Sequence, residues 1–163
     1  MGPFCVSERV VIMKMYVGVK QVWAEKCKAW KDAGGHKIGD DGYKVIYKDG
    51  YESWSPADVF EEAYREINDL TFGMAIELLM KGFKMRRRGW NGKDMFVYYV
   101  PEGRYAPCTE AGKSLCGEDG KVSYLPYIAM KTVSGDVVPW LASQTDILAE
   151  DWEIADDSVS PVI

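Results

Sequence analysis

Two corners of this sequence carry side chains suited to holding a planar anion. One is Arg87-Arg88-Gly89-Trp90-Asn91-Gly92-Lys93; the other is Val137-Val138-Pro139-Trp140-Leu141-Ala142-Ser143-Gln144-Thr145-Asp146. Each is a strand-like run that stops at a tryptophan and passes into small, amide- or hydroxyl-bearing residues. An indole at a strand end offers a flat apolar face and one N–H donor. The residues after it can hydrogen-bond to sugars and phosphates. Brought together, the two corners would clamp a flat, polyhydroxylated, anionic molecule.

Composition limits the alternatives. Of the 163 residues, 47% are hydrophobic and 28% charged, a globular balance for one ordinary domain or two small ones. Aromatics reach 13%, with 6 Trp and 10 Tyr, enough to line stacking surfaces as well as cores. The net charge is -5, which makes a partner of duplex nucleic acid unexpected, because that affinity depends on neutralising phosphates. Cys5, Cys27, Cys108 and Cys116 form no C-x-x-C pair and His36 is the single histidine, so no metal and no disulfide framework is expected. No apolar run reaches the roughly 20 residues of a bilayer span. Residues 1–12 lack a signal-peptide core and cleavage site; 1–14 are expected to be a disordered extension ahead of Met13 or Met15. No GxGxxG, P-loop, nucleophile elbow or convincing carboxylate pair occurs, and His36 sits in a Gly-rich loop. The run Glu150, Asp151 and Glu153 is expected to be a solvated face. These absences favour a binding protein over an enzyme.

The elements that must position the corners follow from patterning. Residues 15–67 are expected to form a small β-β-β-α unit. Met15–Trp23 alternates as a strand, and Glu25–Lys31 allows a short helical turn. Tyr43–Tyr47 and Tyr51–Trp54 form a hairpin across Lys48-Asp49-Gly50. Ser55-Pro56 begins a helix to about Ile67, with Val59, Phe60, Ala63 and Ile67 on one face. Residues 68–154 are expected to be an α+β domain in which an N-terminal helix packs on an antiparallel sheet. Thr71 caps that helix, Phe72, Ala75, Ile76 and Leu79 form its stripe, and Gly82 ends it. Phe83–Arg88 is a strand that turns basic. Phe83 and Met85 face inward, which puts Arg87 at the core's edge, where a guanidinium suits phosphate oxygens. Met95–Val100 is uninterruptedly apolar and expected to be buried on both faces. Pro101–Gly120 is a long loop with a helical turn at Thr109–Leu115, and Pro126 breaks the strand pattern of Val122–Val133. Ser134-Gly135-Asp136 returns the chain into Val137–Trp140. Thr145 and Asp146 cap a short turn, and Asp151–Ile154 is the last strand. Residues 155–163 are expected to be a disordered tail.

Residues 71–154 closely resemble the second Thoeris anti-defence family of phage "sponge" proteins. The resemblance rests on Thr71-Phe72-Gly73-Met74-Ala75, Arg87–Lys93, Pro126-Tyr127-Ile128-Ala129-Met130-Lys131, Val137–Asp146 and Leu148-Ala149-Glu150-Asp151-Trp152-Glu153-Ile154. It covers about half the chain. It implies binding and sequestration, without cleavage, of a cyclised ADP-ribose isomer made from NAD by a host immune system, in the host bacterial cytoplasm. It also implies a homotetramer with pockets at subunit contacts, and some relatives take up cyclic dinucleotides. On that ligand Trp90 and Trp140 would stack the adenine, with Tyr127 behind them. Arg87, then Lys93, would meet the pyrophosphate. Asn91, Ser143, Gln144, Thr145 and Asp146 would meet ribose hydroxyls. Trp140 and Trp152 fit core positions as well, Asp146 fits a helix cap, and Asn91-Gly92 fits a turn. A nucleotide-hydrolysing enzyme and a protein–protein module are the competing readings.

Overall fold

The computed structural model describes residues 15, 17–32 and 34–155. The expectations for residues 1–14 and 156–163 lie outside them. Among the described residues three antiparallel sheets are present: β1-β2-β3, β10-β4-β5-β8-β9 and the ribbon β6-β7.

The first sheet comprises β1 (Trp23–Lys28), β2 (Asp41–Ile46) and β3 (Glu52–Pro56), with α1 (Ala57–Ala63) after it. Gly50, at φ 82°, turns β2 into β3. Four expectations are corrected here. Residues 17–22 form no strand, and the expected helical turn is instead β1, paired with β2 from Trp23↔Ile46 to Lys28↔Asp41. Glu25, Lys26 and Lys28 alternate without an apolar face, so pairing decides the conformation, and lysines suit an open edge. Ser55 caps nothing, because Ser55 and Pro56 still pair with Tyr43 and Gly42, and α1 has no side-chain cap. The helix also stops at Ala63, short of Ile67, and both Val59 within it and Ile67 beyond it are exposed. Its hold on the sheet is aromatic: Phe60 stacks between Tyr43 and Tyr64, at 4.2 and 4.8 Å between ring centroids.

The five-stranded sheet carries α2 (Phe72–Met80) on one face. The Thr71 hydroxyl accepts from the Met74 amide, and Gly82, at φ 93°, closes the helix. Phe83 N–H donates to Leu78 O and Gly82 N–H to Leu79 O, the paired bonds that satisfy a helix's last carbonyls. Strands β4 (Met85–Arg87), β5 (Phe96–Val100), β8 (Tyr127–Lys131), β9 (Val137–Pro139) and β10 (Trp152–Ile154) form the sheet. Leu70, Ala75, Leu78, Leu79, Met85, Val97 and Trp152 make one buried cluster between helix and sheet. Strand β5 is not buried on both faces. Val97 is fully buried, while Phe96 and Tyr98 lie half-buried on the face away from α2, beneath the Lys84 and Lys131 ammonium groups and a neighbouring surface groove.

Pro126 divides the expected Val122–Val133 strand. Before it, β7 (Val122–Tyr124) pairs with β6 (Gly103–Tyr105); after it, β8 joins the main sheet. A residue without an N–H is a natural point to change partners. The loop between β6 and β7 holds α3 (Glu110–Lys113), capped by Thr109 within the expected turn. The far edge of the main sheet is lined by the connector from the first sheet. Leu70 and Trp152 exchange backbone hydrogen bonds, and Ile154 N–H donates to Ile67 O.

Candidate functional site

The two corners meet. Trp90 follows β4, Trp140 follows β9, and Trp152 opens β10, the edge strand beside β4. Ring centroids are 6.1 Å apart for Trp90–Trp140, 5.5 Å for Trp90–Trp152 and 5.9 Å for Trp140–Trp152. All three pairs meet edge to face, the arrangement ring quadrupoles favour, and Phe72 of α2 joins them. Trp152 is wholly buried and is the core tryptophan of the set. Trp90 and Trp140 are half-buried, so each keeps some surface toward solvent.

The polar side is organised by Asp146. It is N3 of α4 (Gln144–Ile147), whose N-cap is Ser143, so the cap expected of Thr145 and Asp146 begins two residues earlier. Ser143 and Asp146 bond reciprocally: the Ser143 hydroxyl accepts from the Asp146 amide, and Asp146 Oδ2 accepts from the Ser143 amide at 3.1 Å. Asp146 Oδ1 accepts from Arg87 Nη1 at 2.9 Å and from Trp90 Nε1 at 3.1 Å. Trp152 Nε1 donates to the Asp146 carbonyl at 2.9 Å. Burial raises the Asp146 pKa, but donors from Ser143, Arg87 and Trp90 outweigh it and hold the carboxyl at about 2.

Arg87 is fully engaged on that side. Its Nε donates to Asp151 Oδ1 at 2.8 Å, and Asp151 Oδ2 accepts from the Gly89 amide at 2.8 Å. Burial also works against the Asp151 carboxylate, and Arg87 and Gly89 reverse it, lowering its pKa. One guanidinium thus faces two ionised carboxylates. Of the Glu150–Glu153 run, Glu150 is exposed as expected, but Asp151 and Glu153 are not on a solvated face: Asp151 holds Arg87, and Glu153 pairs with Arg86 at 2.7 Å. Among the described residues all five arginines are paired with carboxylates.

The other candidates are more open. Asn91 and Lys93 are exposed on the turn after Trp90. That turn needs Gly92, since a Cβ there would strike Met95 and Val133. Ser143, Gln144 and Thr145 are exposed beside Trp140, with Ser143 Oγ 2.8 Å from Thr145 Oγ1. Tyr127 is 43% exposed on β8. The Trp140 indole N–H has no partner among the described residues. Trp152 takes the core position expected of it, while the parts that Asp151, Trp152 and Phe72 play in the site were not foreseen. Only Trp152 had a local signal, as the single large aromatic of the last strand.

A sequence profile described as the Thoeris anti-defense 2-like domain matches residues 70–155. The chain belongs to this family. Thoeris anti-defense 2 of Bacillus phage SP01 is 35% identical over 85 residues, which are 52% of this chain and 93% of that protein. Membership in the Thoeris anti-defense 2-like family supports an anti-defence role of phage origin directed at Thoeris. Both indole corners, Asp146 and Asp151 lie inside the matched region, and the β1-β2-β3 sheet lies wholly before it. No helix among the described residues is long and apolar enough to cross a membrane.

Proposed function

We propose that this protein binds a cyclised ADP-ribose isomer, a Thoeris immune signal, and withholds it from its effector without cleaving it, in the host bacterial cytoplasm. The observation that carries this reading is the pair of half-buried indoles at a family-matched site, flanked by exposed amide and hydroxyl groups. The Trp140 face receives the base, with Trp90 at its edge and Tyr127 beyond. Asn91, Ser143, Gln144 and Thr145 serve the ribose hydroxyls. A carboxyl held at about 2 and saturated with donors is a poor proton carrier at neutral pH, which favours holding over hydrolysis.

The phosphates pose the harder question. Arg87 already answers two carboxylates, so Lys93 is the nearer uncommitted cation on the corner. Capture at nanomolar signal needs about -12 kcal/mol. One base stack contributes about 1–3 kcal/mol. A site completed by a second copy of the chain, within a homotetramer, supplies the remaining contacts and cations. A monomeric variant is accordingly expected to bind poorly, measurable by size exclusion and calorimetry.

The deciding experiment incubates the protein with the cyclised product of a Thoeris NAD-consuming enzyme, denatures it and analyses the released molecule. Intact ligand with a raised melting temperature supports sequestration. Hydrolysed product would show an enzyme, and no thermal shift would favour a protein–protein module. A parallel arm with cyclic dinucleotides sets the breadth of the site.

A further inference from the structure

We propose that Asp146 is a positioning residue: it sets the Trp90 indole and the Arg87 guanidinium against the Trp140 corner and does not itself meet the ligand. The inference rests on the binding reading above, and it reassigns one residue expected to contact ribose.

The geometry leaves Asp146 no capacity to spare. A carboxylate offers about four acceptor sites. Here Oδ1 takes Arg87 Nη1 and Trp90 Nε1, and Oδ2 takes the Ser143 amide and, at 2.6 Å, the Ser143 hydroxyl. The residue is 8% exposed. Its backbone is committed too, with the amide on Ser143 Oγ and the carbonyl on Trp152 Nε1.

A helix cap alone would need much less. The capping box uses Oδ2 and Ser143 only. The Oδ1 half is turned toward Arg87 and Trp90, 59 and 56 residues away in sequence. Through that one oxygen the β9–α4 corner is bonded to the β4 corner, so the two indole faces keep a fixed relation. Asp151 fastens the same guanidinium from the other side and also holds the Gly89 amide, one residue before Trp90. Ring faces locked in this way cost little ordering when a ligand arrives.

The test is Asp146→Asn in the full chain, with Thr71→Ala as the control. Thr71 caps α2 through the Met74 amide and shares no hydrogen bond with Asp146, Arg87 or Trp90, so its loss lowers the stability of the same domain while leaving those bonds in place. Affinity for the cyclised ADP-ribose isomer is measured by calorimetry, and the Trp90 indole N–H resonance is followed by NMR without ligand. Asp146→Asn is expected to shift the Trp90 resonance and weaken binding by about tenfold or more, the worth of one charge-assisted hydrogen bond. Thr71→Ala is expected to do neither. Should the Asn variant not fold, Asp146→Glu keeps the charge, lengthens the arm and is expected to give the same two changes. An unmoved Trp90 resonance, or wild-type affinity in the variant, overturns the proposal. If the wild-type protein fails to bind the probe, the sequestration reading falls instead, and the ligand-free resonance still decides what Asp146 does.

Discussion

The two main sheets of this chain hold their helices by different means. Between α2 and its sheet Leu70, Ala75, Leu78, Leu79, Met85, Val97 and Trp152 pack together, all buried. Helix α1 buries no residue of its own, and its sheet contributes Val45, with Ala29 just past β1, to the buried set. The Tyr43–Phe60–Tyr64 stack takes the place of a core there. The candidate site is built on the first arrangement, where three indoles and two carboxylates are fixed by packing. The buried cluster and the candidate site thus lie in the same half of the molecule, and the preceding sheet is expected to open first.

The largest effect is expected from Trp152→Ala. It empties the centre of the cluster and strands the Asp146 carbonyl, so denaturant unfolding of the main sheet should weaken by about 3–5 kcal/mol. Next comes acid. The Asp146 carboxyl is held at about 2, below its ordinary 3.8. Its contribution is therefore complete above about pH 4 and disappears as pH falls toward 2. That amounts to about 2 kcal/mol in an acid titration of stability, and Asp146→Asn should abolish this part of the slope. Val45→Ala in the first sheet should cost about 1.5–2 kcal/mol for two buried methyl groups. Hydrogen exchange should then quicken in β1–β3 while the main sheet stays protected; equal quickening in both would show that the sheets unfold as one unit. The smallest change is expected of Arg65→Ala. Its pair with Glu150 is exposed, 3.2 Å long and bridges the two halves, and pairs of that kind contribute up to about 1 kcal/mol. A larger loss by thermal melting would mean that the halves stabilise each other.

Sequence made the main sheet legible because its signals are local. Thr71 and Gly82 bracket α2, Ser134–Asp136 is turn chemistry, and Pro126 removes one donor where the chain changes sheets. The first sheet defeated local rules. In β1 the charged residues present no apolar side, and Ser55-Pro56 looks like a helix start until its pairing with β2 is seen. The site was half legible. Two tryptophan corners were visible as such, and the structure brings them together. What Arg87 touches was not, because Asp146 and Asp151 stand 59 and 64 residues downstream and pairing across that span leaves no trace in either neighbourhood.

The connector at residues 67–70 bears on how a minimal version should be cut. The family match opens at residue 70, inviting truncation there. Such a shortened chain would lose the Ile67 carbonyl that receives Ile154 N–H, and the Asn68 carbonyl and Asp69 carboxylate that receive Arg88. The margin beside β10 would then offer the bare Ile154 amide to any passing strand, a route to clumping in the test tube. Starting a few residues earlier, ahead of Ile67, keeps that seam sewn.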